Sequence, residues 1–190
     1  MPRACGASAG VAVSVVDRLA VVLPSAVVTS SYGVVTADVP PAEWVASVMT
    51  VRDDPELDGS YIDVLLAVDE YPRGFDVVVR LWSVARRHGV HLRTSVPRED
   101  PRLPSLVEVF AGASWHEREA AEMFGIVFEG HPHLVPLLLP DGFQGHPLRK
   151  ERVLAARQVP WPGALDPAVK TGRRLQPPGA PAPVPPGEPL

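Results

Sequence analysis

Between Phe75 and Val96 the chain alternates twice. In FDVVVRLWSV, Phe75, Val77, Val79 and Leu81 take one parity, and Asp76, Val78, Arg80 and Trp82 take the other. After ARRHG, Val90, Leu92, Thr94 and Val96 alternate with His91, Arg93 and Ser95. A period of two places successive side chains on opposite faces of a sheet. The short connection contains a glycine and has no room for the dozen or more residues of a crossover. The two runs therefore predict an antiparallel hairpin of Phe75–Val84 with Val90–Val96.

Other segments pack around that hairpin. YIDVLLAVD, Tyr61–Asp69, reads as a buried strand, and Gly33 to Val39 as a short strand stopped by Pro40-Pro41. PAEWVASVM follows with Trp44, Val45, Val48 and Met49 at helical spacing, and proline suits a helix start. Ser105-x-x-Glu108 and Ser114-x-x-Glu117 each match a capping box, so each predicts a helix. The second runs from about Trp115 to Phe124 and stops at Gly125. The predicted fold class is α+β: a small, mainly antiparallel sheet with helices packed on it, followed by an extended proline-rich segment.

Three regions follow from composition. Residues 1–30 are small and apolar, but Asp17 and Arg18 interrupt them before a membrane span is reached. They read as a poorly ordered or strand-like leader. Residues 31–150 form the domain. Residues 151–190, ending QPPGAPAPVPPGEPL, lack the apolar content that offsets ordering and read as an extended or disordered tail.

Function classes can be excluded in turn. A net charge of −4 gives no electrostatic footprint for nucleic acid. One cysteine, Cys5, cannot build a disulfide framework or a four-cysteine cluster. GIVFEGH lacks the Lys-Ser/Thr of a P-loop, and no Gly-x-Gly-x-x-Gly follows a predicted strand. His116, Glu117, Glu119, His131, His133 and His146 lie close in sequence, yet HEREA has Ala120 where a helical zinc motif needs its second histidine. Glu117 and Glu119, two apart, point to different helix faces and cannot share a proton. Glu117 then reads as completing a cap, with Arg118 and Glu119 free for salt bridges or a partner. The chain by itself is expected to bind no metal, flavin or NADH.

What remains is docking. Phe128-Glu-Gly130-His131-Pro132 returns as Phe143-Gln-Gly145-His146-Pro147 and runs into Leu148-Arg149-Lys150. Glycine opens backbone angles closed to other residues, and proline biases the preceding histidine away from helix. Each copy is a stiff corner that presents an imidazole. The apolar HLVPLLLP between them must lie along its own domain or under another protein.

These residues resemble a known family. WHEREAAEMFGIVFEGHPHL, then LLLP, then GHPLRK, is similar to the C subunit, of 30 kDa, of respiratory NADH:quinone oxidoreductase, complex I. The matching positions are Trp115, Glu117, Arg118, Glu119, Glu122, Phe124, Gly125, Ile126, Phe128, Gly130, His131, Pro132, Gly145, His146, Pro147, Leu148, Arg149 and Lys150. The resemblance implies a non-redox subunit of the hydrophilic arm, with segment 113–150 docking on the complex I D subunit, which helps to form the quinone site. It implies a place at the cell membrane, peripheral and on the cytoplasmic side, with FMN, iron–sulfur clusters, NADH and quinone handled by partner subunits. Departures stand at Ala121, at Val135-Pro136 and at Glu151-Arg152-Val153. They leave the electron donor open, with a related assembly, of the membrane-bound hydrogenase type or lacking the NADH module, as the alternative. A freestanding interaction domain is the reading from a different class.

Overall fold

A computed structural model describes residues 9–140 and 142–151, with side chains from Val15 onward. The elements in chain order are α1 (Ala9–Val22), β1 (Val27–Ser31), β2 (Val34–Asp38), a 3-10 turn at Pro41–Glu43, α2 (Trp44–Asp53), β3 (Tyr61–Glu70), β4 (Gly74–Ser83), β5 (His88–Pro97), β6 (Arg102–Pro104), α3 (Ala113–Phe124) and β7 (Val127–Glu129).

The predicted hairpin is the centre of a five-stranded sheet in the order β1-β2-β5-β4-β3. β4 pairs antiparallel with β5 in a register that sets Val77 opposite Thr94 and Val79 opposite Leu92. β3 pairs antiparallel on the other side of β4. The exception is β2, which runs parallel to β5 because α2 intervenes between β2 and the three-strand meander. The α+β class and the mainly antiparallel sheet therefore stand. One sheet face carries Val35, Ala37, Leu65, Phe75, Val77, Val79, Leu81, Val90, Leu92 and Val96, all buried. Leu19 from α1, Trp44 and Val48 from α2, and Ala120 and Phe124 from α3 join the same core.

Four expectations need correction. The leader is not strand-like or unstructured where it is described. Ala9–Val22 is helical, and Val15, Leu19 and Leu23 enter the core at a spacing of four. YIDVLLAVDE is an edge strand, with Tyr61, Leu66 and Val68 exposed. No helix starts at Ser105. Its hydroxyl accepts the Val107 N–H within a single turn and donates to Glu117. Nor is Ser114 a cap: α3 begins at Ala113 with Gly112 as its cap residue and no side-chain cap bond, so Ser114 lies inside the first turn. The expected tail, apart from Glu151, lies outside the described residues.

Candidate functional site

α3 buries Ala113, Glu117, Ala120 and Phe124 along one stripe. Glu117 occupies a position that the helical period reserves for an apolar side chain, and it is fully enclosed. Its carboxylate accepts the Ser105 hydroxyl and the Leu106 N–H, both at 2.6 Å. Burial pushes its pKa up, against the pull of those two donors and the nearby His131 ring. The glutamate predicted to cap its own helix thus organises a turn eleven and twelve residues upstream.

A second face of α3 carries residues 131–140 and 142–149 as a strap, bound from one end of the helix to the other. At the start, the His131 ring lies against the first turn, with Nε2 3.2 Å from Ser114 Oγ and 3.3 Å from the Ser114 carbonyl. One turn on, Arg118 donates to the carbonyls of Val135 (3.0 Å) and Pro136 (2.8 Å). One turn further, the Glu122 carboxylate accepts the N–H groups of Leu138 and Leu139, each at 2.8 Å. A 12-residue helix is about 18 Å long, and the strap follows it throughout.

The second corner then closes the helix end. An α-helix leaves its last carbonyls without partners. Gly125 N–H takes the Ala121 carbonyl from a left-handed cap at φ 74°. The next three carbonyls are filled by the strap. His146 Nδ1–H donates to Glu122 O (2.9 Å), Leu148 N–H to Met123 O (3.2 Å) and Arg149 Nε–H to Phe124 O (2.7 Å). The positive charge of Arg149 suits the negative end of the helix dipole. Gly-His-Pro-Leu-Arg is therefore a C-cap for α3 supplied from more than twenty residues away. Gly130 and Gly145 hold φ of 84° and 81°, as their predicted role in sharp corners requires.

A final latch joins the strap to the sheet. Asp69, buried at the end of β3, accepts the Lys150 N–H (2.7 Å) and pairs with Arg98. Arg98 also bonds Glu151 at 2.7 Å. The guanidiniums of Arg98 and Arg149 stand 4.8 and 5.2 Å from the Phe75 ring centroid. Sequence reasoning missed Asp69 and Arg98. The signal for Asp69 was its parity, because it shares the inward parity of Leu65 and Ala67 on β3.

The predicted docking residues fall into three groups. Glu117, Glu122, Phe124 and Phe128 are buried and act within the chain. Arg118, Gly125, His131, His146, Pro147 and Arg149 are half-buried between helix and strap. Trp115, Glu119, Gly130, Pro132, Gly145, Leu148 and Lys150 are exposed. Trp115 lies under the Arg118 guanidinium, 5.3 Å from ring centroid to Cζ. Between strap and helix is an open groove of about 510 Å³ lined by Ala121, Ile126, Leu134, Pro136, Leu139 and His146 among others. Among the described residues, no three His, Cys, Asp or Glu side chains are grouped as metal ligands.

The Glu122 contacts give a direct prediction. Burial alone would raise its pKa, but the N–H groups of Leu138, Leu139 and Leu137, with Arg118 nearby, outweigh burial and lower it. A lowered acid contributes stability above its unfolded value and loses it as pH falls through its folded value. The Leu138 and Leu139 amide resonances should titrate together, with a midpoint below that of an ordinary glutamate at about 4.3. A midpoint above it would contradict the contact.

The chain is similar to known proteins. The family model for the respiratory-chain NADH dehydrogenase 30 Kd subunit matches residues 37–158. The C subunit of NADH-quinone oxidoreductase from Roseiflexus castenholzii is 43% identical over 150 residues, covering 77% of this chain and 86% of that protein. The C/D subunit of NADH-quinone oxidoreductase from Methylococcus capsulatus is 36% identical over 140 residues, covering 69% of this chain and 24% of that protein. A solved trypsin-resistant fragment of Nqo5 superposes with a TM-score of 0.56 at 25% identity, covering 65% of this chain and 99% of the fragment.

Proposed function

The chain belongs to the respiratory-chain NADH dehydrogenase 30 Kd subunit family, and from that premise we propose that it is a non-redox subunit of an NADH-quinone oxidoreductase. In this reading it docks on the quinone-site D subunit through α3 and its strap, and so supports electron transfer from NADH to quinone. One observation carries the proposal. The strap's polar groups are largely spent on α3, while Trp115, Leu138 and Leu148 face outward at 62%, 60% and 54% exposure. A segment already fixed in shape loses little entropy on binding, and exposed apolar side chains gain by being covered. The choice of partner is supported by the Methylococcus relative, whose name joins C and D and of which this chain matches only 24%.

FMN and iron–sulfur clusters belong, on this proposal, to partner subunits. No described helix is long and apolar enough to cross a membrane. Membrane association would come through the complex, peripherally and on the cytoplasmic side.

The test is affinity purification of the tagged full chain from its own cells in mild detergent. The expected result is a large assembly with flavin and iron–sulfur absorbance that reduces quinone with NADH. An assembly with iron–sulfur absorbance but no flavin would replace NADH as the donor and favour the hydrogenase type of complex. A colourless monomer would overturn the proposal.

A further inference from the structure

We infer that His131 is a proton-sensitive joint at the head of the strap, closed by the neutral imidazole and opened by the imidazolium. The His133 N–H donates to His131 Nδ1 at 3.0 Å. An acceptor Nδ1 carries no proton, so the ring's single proton is on Nε2. That nitrogen faces the Ser114 carbonyl at 3.3 Å, which can only accept. The two contacts therefore demand the same neutral tautomer. Across Pro132 the ring acts as an Asx side chain does, bonding a backbone N–H two residues on.

A second proton has only Nδ1 to occupy, and there it would meet the His133 N–H donor to donor. The charged group that interacts with the ring is Glu117 from α3; Glu129 and His133 are its titratable neighbours in sequence, each two residues away. Glu117 attracts the imidazolium and keeps it against Ser114, so protonation opens the turn without freeing the ring. The strap then leaves the corner in a different direction between His133 and the Arg118 contacts at Val135 and Pro136. A protonated ring would therefore misalign the docking face. Only that last consequence rests on the proposed function; the joint does not.

The experiment uses the isolated, isotope-labelled full chain in a His133→Gln background, which removes that residue's own ring from the titration. Ring nitrogen shifts at pH 8 should show His131 with its proton on Nε2. From pH 8 to 5, protection of the amide at position 133, corrected for intrinsic exchange, should fall about three- to tenfold, the loss of one hydrogen bond. It should fall with the same midpoint as the ring. His131→Asn places a non-titrating acceptor at the same turn and should make the protection independent of pH. A proton on Nδ1 at pH 8, protection unchanged down to pH 5, or a fall that persists in His131→Asn would each overturn the joint. No partner is present, so the outcome is independent of whether the docking proposal holds.

Discussion

Gly125→Ala should destabilise the chain by about 3–6 kcal/mol and release the strap. A non-glycine residue in the left-handed region costs about 1–2 kcal/mol, and Gly125 sits at φ 74°. The added Cβ would also strike the His146 ring and lie 2.7 Å from Arg149 Nη2, the two side chains that cap the helix. Moving them frees the carbonyls of Glu122 and Phe124, and shifting the Leu148 backbone between them frees that of Met123, at a net cost of about 0.5–1.5 kcal/mol for each lost bond. Gly130→Ala supplies the control. Its φ of 84° is strained for alanine, but a Cβ there meets nothing within 4 Å, so only the backbone cost of about 1–2 kcal/mol applies. Urea unfolding checks both, with limited proteolysis reporting the strap. Equal losses for the two variants would show that the strap does not depend on the Gly125 contact.

Glu117→Ala should cost about 2–5 kcal/mol. The substitution leaves the Leu106 N–H and the Ser105 hydroxyl facing a cavity, and a stripped buried donor costs about 1–3 kcal/mol. Glu117→Gln keeps one oxygen for one of them and should cost less than half as much. The pH dependence separates charge from packing. Burial raises the Glu117 pKa, so the native state holds this proton more tightly than the unfolded state. Its contribution is then largest at low pH and declines as pH rises from the ordinary glutamate value through the raised one. Glu117→Gln should remove that decline. A variant whose stability still falls over the same range would assign the decline to another group.

These two residues mark where sequence reading succeeds and where it stops. Gly125 was legible as a helix stop, because an αL glycine after an apolar run is a local signal. That it also makes room for His146 and Arg149 depends on contacts far along the chain, which no local pattern encodes. Glu117 was misread because Ser114-x-x-Glu117 fits a capping box, while the stripe Ala113, Glu117, Ala120, Phe124 places it inside. The hairpin was legible from its alternation over long runs. The parallel β2–β5 pairing was not, since it depends on how α2 packs. β6 and β7 were missed because three residues each leave no period to read. In α1, glycine, alanine and valine obscured a helix whose inward positions, Val15 and Leu19, continue at Leu23 just past its end and are regular only once its axis is known. The unusual backbone angles expected at Gly130 and Gly145 in the two histidine corners are present. Their seats at opposite ends of α3 belong to the tertiary structure.

If the outward face of the strap is an interface, Leu138→Asp breaks it most directly. Leu138 is 60% exposed, and its backbone N–H, which the substitution retains, holds Glu122. A change at so exposed a side chain should move the stability of the isolated chain by no more than about 0.5 kcal/mol. A charge at the centre of an apolar contact has no such tolerance, since burying it unpaired costs several kcal/mol. The measurement is co-purification of the D subunit with the tagged chain, wild type against Leu138→Asp, alongside the unfolding midpoint of each. The predicted result is an unchanged midpoint with recovery of that partner reduced at least tenfold. Full recovery of the partner with Leu138→Asp, at an unchanged midpoint, would contradict the assignment of this face to docking.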